Sequence, residues 1–282
     1  MTALNSELAF TLALVAECGE IAMSYWRRGA KVMALRDKPM GGGPITRADT
    51  EINDRIVTAL RARFPADGVL AEESADDGSW RAPVRCWYVD PIDGTREFAR
   101  GRTGWTIQIG LCVGGEPRLG VVLEPAAGHL SWAVRGPDQA LARRRLPGGG
   151  EVPLEPKEAS FEDLLLIGGR MFPLSHQHAI RRALGVSEAR ARSVGSVGVR
   201  MTAVARGDAH VYVQAPGHTK MWDTCAPTAL ILAAGGRVTD LRGDPLDFRA
   251  PSVTHPRGVV ASHGRMHEHV LQRMRPLVDR WL

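Results

Sequence analysis

The stretch CWYVDPIDGTREF (86–98) decides how the rest of the chain is read. Its first four residues are apolar or aromatic, as a buried strand requires, and the strand ends on an acid, Asp90. Asp93 follows three residues later, then Gly94, whose missing side chain permits a sharp turn. Thr95 then opens a short helical run, TREFA. Two carboxylates at a strand end, followed by a helix start, are charged groups exposed on a stiff frame.

Working outward, three further places carry acids in the same setting. TRAD (46–49) precedes a helical face made by Ile52, Ile56, Leu60 and Phe64. GVLAEES (68–74) ends a short apolar stretch on Glu72 and Glu73, and WDTCAP (222–227) puts Asp223 at a helix start. Taken singly, each has a bland explanation. Asp49 is a capping-box residue for Thr46, Asp223 an N-cap, Glu72 and Glu73 a solvated turn, and Asp93-Gly94 a common turn. Taken together, clustered carboxylates repel one another unless a cation lies between them. Oxygen donors without Cys or His partners favour Mg²⁺ over Zn²⁺.

The periodicity predicts mixed α and β structure. Leu8, Leu12, Val15, Gly19, Ala22 and Trp26 mark one face of a long first helix ending at Gly29. Strands are expected at 86–90, 105–113, 119–125 and 130–134, as a meander. The Gly-, Pro- and Arg-rich segment 136–157 reads as a linker or exposed loop, with Arg143, Arg144 and Arg145 solvated. Beyond it come strands at 164–169, 191–194, 210–213 and 257–262, and helices near 175–184, 197–207, 224–234 and 264–280. Gly41, Gly42 and Gly43 mark a candidate lid at 40–45.

Composition narrows the classes. The 282 residues are 44% hydrophobic and 24% charged, which excludes a disordered chain. No run approaches 18 consecutive apolar residues, so no membrane partner is expected. A net charge of +5 is too mild to argue for nucleic acid, and it suits a phosphorylated small molecule. Cys18, Cys86, Cys112 and Cys225 have no metal-ligand spacing and read as reduced thiols. The N-terminus lacks a basic signal-peptide region, so a cytoplasmic location is expected. His176, His178 and His218 read as surface residues.

The order TRAD, AEES, DPIDGTREF and WDTCAP…AGG resembles the lithium-sensitive, magnesium-dependent phosphomonoesterases that include the inositol monophosphatases. The likeness runs from about residue 4 to 272 and is weakest at 136–160, where GPDQALARRR replaces the family's usual glycine-rich pattern. It implies a layered αβαβα sandwich forming a single phosphatase unit. An N-terminal α+β part (1–140) would hold most metal ligands, and a C-terminal α/β part (158–282) would hold Asp223 and the residues that select substrate. It further implies that Glu72, Asp90, the Ile92 carbonyl, Asp93 and Asp223 ligate two to three Mg²⁺ ions, with Glu73 supporting them. Asp49 and Thr95, with Glu72, would be catalytic, and Gly94 and Thr95 would receive phosphate oxygens. Homodimers are common in the family, and no residue here fixes an interface.

DGTREF, together with Pro216 where inositol enzymes carry a glutamate, moves the resemblance toward 3'(2'),5'-bisphosphate nucleotidases of sulfur assimilation. That likeness implies removal of the 3'-phosphate of 3'-phosphoadenosine 5'-phosphate. Gly195 and Ser196 would lie beside the ribose and second phosphate. Lys220 and Arg96 are either phosphate contacts or, respectively, a solvated lysine and a helix ion-pair partner. Lys38 is a further candidate for the phosphate. Histidinol phosphate, an inositol phosphate or a sugar phosphate would suit the same chemistry. A regulatory RNA- or protein-binding module on a phosphatase scaffold is the non-enzyme alternative.

Overall fold

The computed structural model describes residues 4–29, 35–38, 44–137, 139–170 and 174–282. Helix α1 (Asn5–Arg28) is followed by a two-residue pair, β1 (Arg36–Asp37) and β2 (Pro44–Ile45), and by α2 (Arg47–Arg63). A seven-stranded sheet then forms in the order β3 (Gly68–Ala71), β4 (Arg85–Asp93), β5 (Thr106–Val113), β6 (Glu116–Glu124), β7 (His129–Arg135), β8 (Ala140–Arg145) and β9 (Glu151–Pro153). Only the β3–β4 pair is parallel; the others form an antiparallel meander. The short helix α3 (Thr95–Ala99) leaves the end of β4.

The second half contains β10 (Leu166–Gly169), α4 (Leu174–Leu184), β11 (Ala191–Val194), α5 (Val197–Ala205), β12 (Val211–Gln214), α6 (Met221–Ala233), β13 (Gly236–Thr239), β14 (Val259–His263) and α7 (His267–Trp281). Its five strands run β11-β10-β12-β14-β13, parallel through the first three and antiparallel at β14.

The side-chain period of two sorts the core into three slabs. Trp87, Val89, Ile107, Ile109, Leu119 and Val121 face α1 and α2. Val122 and Ala133 face the other way, into a slab with α5, α6, Tyr212, Val259 and Ala261. Val211, Val213 and Val260 alternate outward under α4 and α7. The layers are therefore α1/α2, the seven-stranded sheet, α5/α6, the five-stranded sheet, and α4/α7, as the resemblance implies.

One expectation needs correction. The segment 136–157 is not all linker or loop. Its β8 and β9 extend the large sheet, with Arg143 paired to Pro153 and Arg145 to Glu151 in the ladder. The three arginines are held by charge: Arg145 meets Glu151 at 3.0 Å and lies over Trp132, Arg143 is 3.8 Å from Glu151, and Arg144 is 4.0 Å from Asp208. Turn-forming residues in 146–150 hid a hairpin whose strands have too little apolar alternation to announce themselves. Helix α1 holds no run of 18 consecutive apolar residues but is long and apolar enough to cross a membrane by length and composition. The stripe that gives it this character is packed on α2 and the sheet, with Leu14, Val15, Cys18 and Ala22 buried. Within the candidate lid, residues 40–43 lie outside the described residues.

Candidate active site

Backbone geometry brings the acids together. The ladder between β4 and β5 breaks register between Asp90 and Asp93, and such an irregularity re-aims side chains at a strand end. Asp223 arrives from the opposite layer, in the first turn of α6. That helix can lie close on the sheet because Gly110 and Gly120, opposite one another on β5 and β6, sit beneath it. A Cβ on Gly110 would come within 2.6 Å of Cys225 Sγ, and one on Gly120 within 2.2 Å of the Ala226 carbonyl oxygen. The result is a trio, Asp90, Asp93 and Asp223, each offering an oxygen within 4.8 Å of the others.

Electrostatics makes this trio demanding. Burial pushes the Asp90 carboxyl well above its ordinary range, and the charges of Glu72, Asp93 and Asp223 push it further. Asp223 is raised by burial and then by Asp93 and Glu72. Burial also raises Asp93, against hydrogen bonds from Gly198 and Ser196 that favour the anion. Asp90 Oδ1 is buried and has no hydrogen-bond partner among the described residues. An unpartnered buried oxygen among oxygen-only donors fits a hard divalent cation.

Each neighbouring carboxylate has one oxygen fixed by the chain. Asp93 Oδ2 accepts from Gln108 Nε2 (2.8 Å), Ser196 Oγ (2.7 Å) and the Gly198 amide (2.5 Å). Asp223 Oδ2 accepts from the Lys220 amide at 2.6 Å. Asp49 makes the expected capping box, its Oδ2 taking the Thr46 amide at 2.8 Å and the Thr46 hydroxyl. Its Oδ1 is left to accept from the Thr95 hydroxyl at 3.2 Å. The capping box thus uses one oxygen of Asp49 and leaves the other to the Thr95 hydroxyl. Burial raises the Asp49 carboxyl to about 6, aided by the Glu72 charge and opposed by the Thr46 and Thr95 bonds. The Thr95 hydroxyl also lies 3.1 Å from the Ile92 carbonyl oxygen.

Glu72 and Glu73 lie at the end of β3 with Lys38 between them, its Nζ 2.7 Å from Glu72 and 2.6 Å from Glu73. Glu72 is not one of the three clustered acids, although its charge acts on Asp90 and Asp223. The ammonium of Lys38, proposed from sequence for the phosphate, is spent on this pair. Burial disfavours the charged lysine, but Glu72 and Glu73 together hold its pKa above the usual lysine value. Burial and the Glu72 charge raise Glu73 to about 7.

Beside the acids opens a cavity of about 180 Å³ lined by Pro44, Glu72, Gly94, Thr95, Arg96, Glu97 and Gly195. Gly94 has φ +93°, and a Cβ there would crowd Gly104, Trp105 and Ser196 at 3.1–3.3 Å, so only glycine fits. Exposed Arg96 stands on this wall. Ser196 lies next to this wall, behind Gly195. It is fully buried and caps α5 by accepting from the Val199 amide at 3.0 Å while donating to Asp93, so its hydroxyl is engaged within the chain. Lys220 sends its Nζ to the Thr254 hydroxyl at 2.6 Å. Glu97, the residue that distinguishes DGTREF, is buried against Gly195 and held by Arg170 at 2.7 Å. Gln108, Arg170 and Arg200 went unnoticed in the sequence; each is isolated in its stretch, and only the fold gives it neighbours. The four cysteines are free and buried.

The model of the inositol monophosphatase family matches residues 4–278. A Streptomyces griseus protein named glucose-1-phosphate thymidylyltransferase is 32% identical, covering 77% of this chain and 80% of its own. A 3'-phosphoadenosine 5'-phosphate phosphatase of Mycobacterium bovis is 31% identical over 71% of this chain and 70% of its own. A histidinol-phosphatase of Mycobacterium tuberculosis is 32% identical over 96% and 98%. Among solved structures, an IMPase of Thermotoga maritima superposes with TM-score 0.80 at 24% identity, covering 98% of this chain and 100% of that one.

Proposed function

The chain belongs to the inositol monophosphatase family and is a phosphoric monoester hydrolase acting on small phosphorylated substrates, and within that family we propose that it removes the 3'-phosphate of 3'-phosphoadenosine 5'-phosphate. The observation that carries the chemistry is the meeting of Asp90, Asp93 and Asp223 beside the Thr95–Asp49 pair. The relatives named for this substrate at about 31% identity support the choice of ester, as does DGTREF, with Pro216 in place of an acceptor side chain.

In this reading Asp90, Asp93 and Asp223, with Glu72 and the Ile92 carbonyl, hold two to three Mg²⁺ ions, and Glu73 supports them. Bound divalent cations supply a water nucleophile of lowered pKa and neutralise phosphate charge. The chain's own part is to place groups. Asp49, with a pKa raised to about 6, is ionised at neutral pH and close enough to that pH to take a proton from Thr95. In the same step the Thr95 oxygen takes a proton from the attacking water, so that the hydroxyl is restored and Asp49 ends protonated. Backbone N–H groups at Gly94 and Thr95 receive phosphate oxygens, which the absence of a Cβ on Gly94 permits. Arg96 and Gly195 form the wall met by the rest of the ester. Lithium is expected to inhibit by competing with the resident cations.

A full-length match to a histidinol-phosphatase supports a second reading, in which the same machinery cleaves histidinol phosphate. Steady-state turnover with Mg²⁺ on both esters and on inositol 1-phosphate separates them. The bisphosphate nucleotide is expected to have the highest kcat/KM. A higher value for either other ester overturns the substrate assignment and leaves the family intact.

A further inference from the structure

Resting on the cation-dependent reading above, we propose that Gln108 is a positioning residue: its amide fixes one oxygen of Asp93, so that the carboxylate offers a cation the other oxygen alone. Three donors converge on Asp93 Oδ2, from Gln108 at 2.8 Å, Ser196 at 2.7 Å and Gly198 at 2.5 Å. A carboxylate oxygen has about two lone-pair sites, so three short donors fill it. The direction of the amide follows from chemistry, since Oε1 in place of Nε2 would set two acceptors face to face.

Gln108 is fully buried near the start of β5, between β4 and β6, where a strand would ordinarily carry an aliphatic residue. Its Oε1 has no hydrogen-bond partner among the described residues. A leucine would fill the space without leaving a buried acceptor unpaired, so packing alone does not account for the glutamine. The surroundings are shaped to admit it. A Cβ on Gly198 would lie 2.7 Å from both Cδ and Nε2 of Gln108 and 2.5 Å from the Thr106 hydroxyl, so glycine at this position leaves room for the amide and supplies its own N–H to the same oxygen. Because Ser196 and Gly198 stand at the start of α5, the contact also ties that layer, and the adjoining cleft residue Gly195, to the end of β4.

Partners that orient a ligating group are typically worth about 10–100-fold in metal affinity. The test is a calorimetric titration of Mg²⁺ into the full chain without substrate, comparing wild type with Gln108→Leu. The expected result is a Kd raised by about 10–100-fold, a cation-free Tm no lower than wild type, and turnover that recovers as Mg²⁺ is raised. Gly198→Ala, which displaces the amide but keeps it, moves Kd in the same direction. Gln108→Asn, one methylene short of Asp93, also weakens binding and replaces the leucine variant in the comparison should that variant not fold. A Kd within about twofold of wild type in a folded variant, or a lowered Tm with unchanged Kd, overturns the positioning role. Wild type that binds no divalent cation overturns the functional reading instead, so the two failures are distinguishable.

Discussion

The two sheets serve the site differently. The large sheet and its helices provide Asp49, Glu72, Asp90, Asp93 and Thr95, and the first turn of α6 adds Asp223 from the other side, groups whose chemical type already states what they can do. The smaller sheet's side provides Gly195, Ser196, Arg170 and, through α6, Lys220. There the role depends on what each side chain touches: Ser196 on Asp93, Arg170 on Glu97, Lys220 on Thr254. In the proposed reading, reactivity follows residue type and selectivity follows neighbours.

The comparison can be broken most forcefully on the reactive side. Asp90→Asn removes one charge from the acidic trio and is expected to lower kcat by about 10³-fold or more at saturating Mg²⁺. A loss under about tenfold in phosphate release would mean that the trio is not where hydrolysis depends on charge. Thr95→Ala should cost about 10²–10⁴-fold in kcat and leave calorimetric Mg²⁺ affinity near wild type. An unchanged kcat would remove Thr95 and Asp49 from water activation.

On the selective side, Gly195→Ala sets a Cβ 2.8 Å from Glu97 Cγ and shifts the cleft wall. KM is expected to rise by about tenfold, equivalent to about 1.4 kcal/mol, with kcat little changed. A matching fall in kcat would show that the two sides are not separable.

The smallest effect is on stability. Acids whose folded pKa is raised retain protons that the unfolded chain releases at lower pH, so the fold loses stability as pH rises through the interval between the two values. Asp90 and Asp223 are raised well above their ordinary range, Asp49 to about 6 and Glu73 to about 7. In a chelator, Tm should therefore fall by a few degrees as pH goes from about 5 to about 8, and added Mg²⁺ should restore more of it at the higher pH. A Tm that rises over that range would contradict the repulsion between these acids.

Most of the large elements were legible because their periods are strong, as in the face of α1 and the strand runs of the meander. The hairpin β8–β9 was not, since Arg143, Arg144 and Arg145 carry no apolar alternation and owe their order to Glu151, Asp208 and Trp132. The acids of the site were visible because residue type, strand end and motif all agreed. Gln108 left no such mark: an isolated amide in TIQIGLCV gains its meaning only when α5, 90 residues further on by the Thr106–Ser196 contact, closes over it. The ion pairs of Lys38 left no mark either, because sequence does not reveal that Glu72 and Glu73 bracket its ammonium.

The most direct measurement is anomalous diffraction from crystals of the full chain soaked in Mn²⁺, a scatterer that shares Mg²⁺'s preference for oxygen ligands. The expected result is anomalous density within about 2.2 Å of carboxylate oxygens of Asp90, Asp93 and Asp223, with the Asp93 contact made by the oxygen that Gln108 leaves free. An enzyme active under the same conditions, with no density among these residues, would contradict the account.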